Sequence, residues 1–221
     1  MSGLEESVEF AENPEPRCPC VLLLDTSGSM QGAPIAALNE GIRTFKRDLE
    51  QDLLAARRVE IAVVTFNSEV RVAEDFSTAD VFEPPALMAG GQTFMGTGIN
   101  KALDLLQARK SQYRANGIAY YRPWVFMITD GEPQGEAPEQ VQRAAQRVRE
   151  DEDAKRVAFF AVGVEGANMG ALATIAVRQP IRLIGLNFRE MFVWLSASMQ
   201  KVSQSQLGDQ VPLPPAGWGA I

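Results

Sequence analysis

Short, continuously apolar runs recur along the chain, separated by polar or amphipathic stretches. Cys20-Val-Leu-Leu-Leu24 stops at Asp25-Thr-Ser-Gly-Ser-Met30, the pattern of a strand buried on both faces. Trp124-Val-Phe-Met-Ile-Thr129 repeats it and also stops at an aspartate, Asp130, where Gly131-Glu-Pro133 turns the chain. Residues 157–164 and 181–184 supply two further core strands. After Pro34, the residues Ile35, Leu38, Ile42, Phe45, Leu49 and Leu53 recur at steps of three and four, which predicts a helix with one apolar stripe. Residues 59–66 and 70–73, joined across Asn67-Ser68, predict a hairpin at a sheet edge. Further helices are predicted over 98–110, 138–150, 169–176 and 188–202, with 111–122 as a polar connector. In the helix over 98–110, Ile99, Ala102, Leu105 and Leu106 share a face.

This alternation predicts an α/β fold: a doubly wound, mostly parallel central sheet flanked by helices, with one antiparallel edge strand. The 221 residues are read as one domain over 17–204. An acidic leader, 1–16, precedes it and is expected to pack loosely. A Pro/Gly-rich segment, 205–221, follows it. That segment reads as an extended strap whose Val211, Leu213 and Trp218 cover an apolar groove, with a docking motif as the alternative.

Composition narrows the function. A hydrophobic share of 46% with 22% charged residues is that of an ordinary soluble domain. The net charge of −7 argues against gripping nucleic acid or anionic lipid, which demand a basic surface. No run approaches the roughly 20 apolar residues of a bilayer span, and the leader lacks the basic-then-apolar order of a secretory signal. A cytoplasmic location follows as the expectation. Cys18 and Cys20 stand one residue apart and read as reduced thiols. With no histidine in the chain, the usual zinc sites and the Ser/His and Cys/His nucleophiles are excluded.

In open α/β sheets, ligands collect at the carboxyl ends of the strands, where both strand-ending aspartates would lie. In Asp25-x-Ser27-x-Ser29 three oxygen-bearing side chains alternate, and Gly28 and Gly32 let the loop bend tightly. Thr93, delivered by the Gly90-Gly91 turn, adds a hydroxyl, and Asp130 a second carboxylate. Every donor is a hard oxygen, which favours Mg2+, with Mn2+ or Ca2+ as alternatives. Three of the five side chains are neutral, so the ion keeps an appetite for a further anion, such as an acidic side chain of a partner. Gln31, Gln92, Phe94, Met95, Glu132 and Gln134 are expected on the rim, although Phe94 and Met95 could equally turn inward as core. For each aspartate alone, capping a helix or bracing a loop is the competing reading. Ser27 is no nucleophile, since no base is at hand and Gly-x-Ser-x-Gly is absent around it.

Asp25-Thr-Ser-Gly-Ser-Met30, Gly91-Gln-Thr93 and Ile128-Thr-Asp-Gly131 together resemble the three parts of the metal-ion-dependent adhesion site of von Willebrand factor A (VWA) domains. The resemblance covers residues 18–204. It implies that Ser27, Ser29 and Thr93 contact a metal directly, that Asp25 and Asp130 do so directly or through water, and that the ligand supplies a carboxylate. It further implies a binding module that is not an enzyme. Arg17-Cys-Pro-Cys20, Thr65-Phe-Asn67, Phe82-Glu-Pro-Pro-Ala-Leu87 and the Pro-rich tail resemble the bacterial, tellurium-resistance-associated (TerY-like) group of these domains. That group implies a cytoplasmic stress-response module, in some gene neighbourhoods beside a protein kinase and a phosphatase. Glu5, Glu6 and Glu9 of the leader are candidates to occupy the metal site themselves. The alternatives are a Mg2+-dependent phosphatase-like enzyme, which would want a second acid where Ser27 stands, and a scaffold that never binds metal.

Overall fold

The computed structural model describes residues 10–220. Its seven-stranded sheet runs in the order β3-β2-β1-β4-β5-β6-β7. Strands β1 (Cys18–Asp25), β2 (Val59–Phe66), β4 (Trp124–Thr129), β5 (Ala158–Gly163) and β6 (Ile181–Leu183) are mutually parallel. The expected antiparallel edge is β3 (Val70–Thr78), which pairs with β2. The two-residue β7 (Gly219–Ala220) pairs antiparallel with β6 at the other edge and was not anticipated. β1 and β4 are buried along their whole length, because parallel neighbours satisfy their backbones and helices cover both faces.

Side chains along the strands alternate between two cores. Leu22 and Leu24 of β1, with Phe126 and Ile128 of β4, pack on the face covered by α1 (Ala33–Glu50) and α6 (Phe188–Gln204). Val21, Leu23, Val125 and Met127 face α3 (Met95–Ala115), α4 (Pro138–Asp153) and α5 (Met169–Ile175). Gly41 lets α1 and α6 approach closely, since a Cβ there would lie 2.5 Å from the Phe192 ring.

Three predicted boundaries are corrected. The first helix does not continue to Leu53. The Asp52 side chain accepts from Leu54 N and Ala55 N and caps a separate short helix, α2 (Leu53–Arg58), which leaves Leu53 84% exposed. Residues 111–115 are not connector but the last turn of α3. They are held by a buried polar cluster: Arg17 Nε donates to Glu60 Oε1 at 2.7 Å and Arg109 Nε to Glu60 Oε2 at 2.9 Å. The Tyr113 hydroxyl donates to the same carboxylate. Finally, the leader packs from Phe10 onward. Phe10 is 3% exposed and its ring meets the guanidiniums of Arg17 and Arg109 at 5.5 and 4.9 Å. Glu5, Glu6 and Glu9 lie outside the described residues.

Among the described residues no helix is long and apolar enough to cross a membrane. Cys18 and Cys20 are free and fully buried. Of the strap, Leu213 and Trp218 pack against the α1/α6 core, Val211 lines a cavity beneath it, and Trp194 Nε1 donates to Pro214 O at 2.8 Å.

Candidate metal centre

β1 delivers Asp25 to the carboxyl edge of the sheet between β2 and β4. The chain then leaves the sheet, tied by Thr26 N to Phe66 O at 2.9 Å, and makes a 3-10 turn over Gly28–Met30. Met30, fully buried, anchors that turn. Ser27 and Ser29, two residues apart on the turn, bring their Oγ atoms within 3.0 Å of each other. Ser29 Oγ donates to Asp130 Oδ1 at 2.8 Å, so side chains 101 positions apart in the chain meet directly.

Asp25 lies beneath this row with no exposed surface. Its Oδ1 accepts from Ser27 N at 2.8 Å and its Oδ2 from Thr129 Oγ1 at 2.5 Å. Burial pushes the Asp25 carboxyl up to about 6. The hydrogen bonds from Ser27 and Thr129 oppose that rise, while the nearby Asp130 charge adds to it. A carboxylate held in this way gains from an adjacent cation.

Thr93 arrives on a loop stitched to both neighbouring loops. Gly28 N donates to Gly91 O at 3.0 Å and Gly90 N to Thr26 O at 2.8 Å. On the other side Thr93 and Gln134 exchange both backbone hydrogen bonds, at 3.3 and 3.0 Å. Gly91 has a φ of +83°, and a Cβ there would lie 2.7 Å from Ser68 Oγ, so the turn needs glycine. Behind this loop Glu136 caps α3: its carboxylate accepts from Gly96 N at 2.6 Å and from Thr97 N at 2.9 Å.

Ser27, Ser29, Thr93 and Asp130 line one depression of about 310 Å3, together with Glu132 and Asn168. Gln134 also lines it. Gln31 and Gln92 are exposed but are not part of its lining. Phe94 is half-buried. Met95 is not a rim residue: it is fully buried in the α3-side core, because it opens the helix on the face turned to the sheet. Sequence reasoning missed Thr129, Asn168 and Glu136. Thr129 carried a weak signal, a hydroxyl closing an otherwise apolar strand. Asn168 and Glu136 gave none, since only the fold brings them to this edge.

The donor set fits a small hard cation. Two cis ligands of an octahedral Mg2+ stand about 2.9 Å apart, the edge set by a metal–oxygen distance of ~2.05 Å. The Ser27–Ser29 and Ser29–Asp130 oxygens already hold spacings of 3.0 and 2.8 Å, filled here by hydrogen bonds. Among the described residues no three Asp, Glu, Cys or His side chains converge, so a cation here must draw on hydroxyls, and this suits Mg2+ better than soft metals.

A doubly wound sheet with aspartates ending two adjacent central strands, and three hydroxyls gathered between them, defines a domain built to present an oxygen-lined site at its edge. Residues 20–184 match the von Willebrand factor type A domain, and the chain belongs to that family. No curated protein matches it. Among solved structures it is similar to a von Willebrand factor type A protein from Catenulispora acidiphila, with 20% identity and a TM-score of 0.66. That alignment covers 85% of this chain and 43% of the other. The open form of the pilus adhesin SpaC from Lactobacillus rhamnosus GG aligns with a TM-score of 0.67 at 13% identity, over 84% of this chain and 30% of that one. Proximal thread matrix protein 1 from the mussel byssus, with a zinc-occupied adhesion-site motif, aligns with a TM-score of 0.56 at 19% identity, over 84% and 48%. The chain thus spans less than half the length of each, and at these identities the likeness is one of fold.

Proposed function

We propose that this domain binds a divalent cation, Mg2+ in the cell, and through it holds an acidic side chain of a protein partner, with no catalysis of its own. The observation that carries the reading is the convergence of Ser27, Ser29, Thr93 and Asp130 on one depression, with Asp25 buried beneath it. Ser27, Ser29 and Thr93 would bind the metal directly, and the two aspartates would balance its charge. The bound ion would supply a positive centre with a coordination position for a carboxylate. Glu132, Gln134, Gln31 and Gln92 would then meet the polar surroundings of that carboxylate. The zinc held by the mussel protein argues for including Zn2+ among the metals tested.

The finer assignment, to the bacterial tellurium-resistance-associated group with a cytoplasmic kinase or phosphatase as partner, rests on the sequence segments that resemble that group.

Titration calorimetry with Mg2+, Mn2+, Ca2+ and Zn2+ tests the metal, and affinity capture in Mg2+, in EDTA, and with Asp25→Ala in Mg2+ tests the partner. Binding of one cation by the wild type and none by Asp25→Ala is expected, with a partner retained only by the metal-loaded wild type. Capture of the same proteins in all three samples would remove the metal from the reading. Hydrolysis of a generic phosphate ester, lost in Asp25→Asn, would replace the binding module with an enzyme.

A further inference from the structure

A second cavity, of about 570 Å3, opens at the opposite end of the sheet, where β4 and β5 begin and residues 205–213 cross over them. Its inner wall is aromatic: Tyr121, Trp124 and Phe160 line it, each less than a tenth exposed. Three cations, Arg122, Lys155 and Arg178, also line it. Cavities of a few hundred cubic ångströms with apolar walls and a few converging polar groups are the sort that small organic ligands occupy.

The charge around this cavity is positive although the whole chain carries −7. Glu152 engages Arg122 at 2.6 Å and Arg178 at 2.8 Å, and Asp209 is the other carboxylate nearby, accepting from Gln206 N at 2.9 Å. Three cations therefore face two carboxylates. Lys155 is the one in excess: among the described residues its ammonium makes no hydrogen bond or ion pair. Arg178 lies over the Phe160 ring at 5.1 Å, which joins the cationic and aromatic parts of the lining.

Lys155 also occupies a costly backbone position. It follows the end of α4 with a φ of +54°, and it is the sole non-glycine residue with positive φ among those described. Glycine or asparagine is the usual occupant of such a helix exit. A lysine kept there, unpaired and beside an aromatic cavity, is an outlier that asks for a use.

We propose that this cavity is a binding site for a small organic anion with an aromatic body, whose ring lies against Trp124 and Phe160 and whose charge meets Lys155 and Arg178. The strap covers the bound molecule through Val211 and Leu213, which line the outer side. The site is separate from the metal centre and does not depend on it.

The test uses the full chain in EDTA and the dye 8-anilinonaphthalene-1-sulfonate, an aromatic anion, against N-phenyl-1-naphthylamine, which has the same rings without the sulfonate. One dye anion per chain is expected, bound at least tenfold more tightly than the neutral analogue. Lys155→Gly removes the ammonium and relaxes the backbone, so it is expected to weaken the dye anion about fivefold without lowering the melting temperature. Arg178→Gln should weaken it similarly. Equal binding of the neutral analogue, or wild-type affinity in both variants, would overturn the site and place the dye on apolar surface elsewhere, such as that around Leu53 and Val193.

Discussion

Thr129 and Asp25 make the sharpest residue-level case, because one hydroxyl holds one oxygen of a buried carboxylate. Thr129→Val keeps the shape and removes the donor. By analogy with other residues that orient metal ligands, it should weaken cation binding by roughly 10–100-fold while leaving the fold intact; titration calorimetry beside a melting curve separates the two. The raised pKa of Asp25 predicts a pH dependence with a definite sign. With a folded value of about 6 against an ordinary 3.8, the metal-free fold favours the protonated form, and its stability falls as pH rises through that window. The cation competes with this proton. Mg2+ affinity should therefore be halved near pH 6, close to full from about pH 7 upward, and about tenfold weaker at pH 5 than at pH 7.5, measured by titrations at these pH values. The serines, Thr93 and Asp130 were legible in the sequence because each sits in a short motif at a strand end or glycine turn. Thr129 was not, because its partner is fixed by strand pairing rather than by spacing.

At the scale of elements, the buried polar cluster joins β2, α3 and the segment before β1. Glu60→Ala strips Arg17 and Arg109 of their shared carboxylate. Breaking a buried ion pair from one side costs about 3–5 kcal/mol, so urea denaturation should show a loss of that order. The replacement of both guanidiniums and the carboxylate by apolar residues should cost far less. The same cluster explains what the periodicity hid. The strands and the apolar face of α1 stood out because hydrophobic burial repeats with the period of the element. The last turn of α3, residues 111–115, buries only Tyr113, whose hydroxyl meets Glu60, and a polar stretch with one buried ring reads as a connector. Leu53 fitted the stripe of α1 by spacing alone, while the cap from Asp52 had already turned the chain.

Over the whole molecule, the two ends of the parallel strands serve different purposes: the carboxyl edge gathers oxygens, and the opposite edge is closed by the strap. From there the strap runs back to the carboxyl end of β6, where Trp218 O accepts from Ile184 N and the Trp218 ring meets Trp194 at 5.6 Å between centroids. Trp218→Ala should lower stability by about 3 kcal/mol, the low end for a buried aromatic, because its indole N–H is buried without an acceptor among the described residues and its removal recovers part of the loss. A shift of the thermal midpoint checks this. The clustering has an optical corollary. The chain's three tryptophans, Trp124, Trp194 and Trp218, share one aromatic cluster with Phe160, its rings tilted or edge-on to one another. Ultraviolet emission from this protein therefore reports on the strap. Peeling the tail from α6 uncovers Trp194 and Trp218 and shifts the emission to the red.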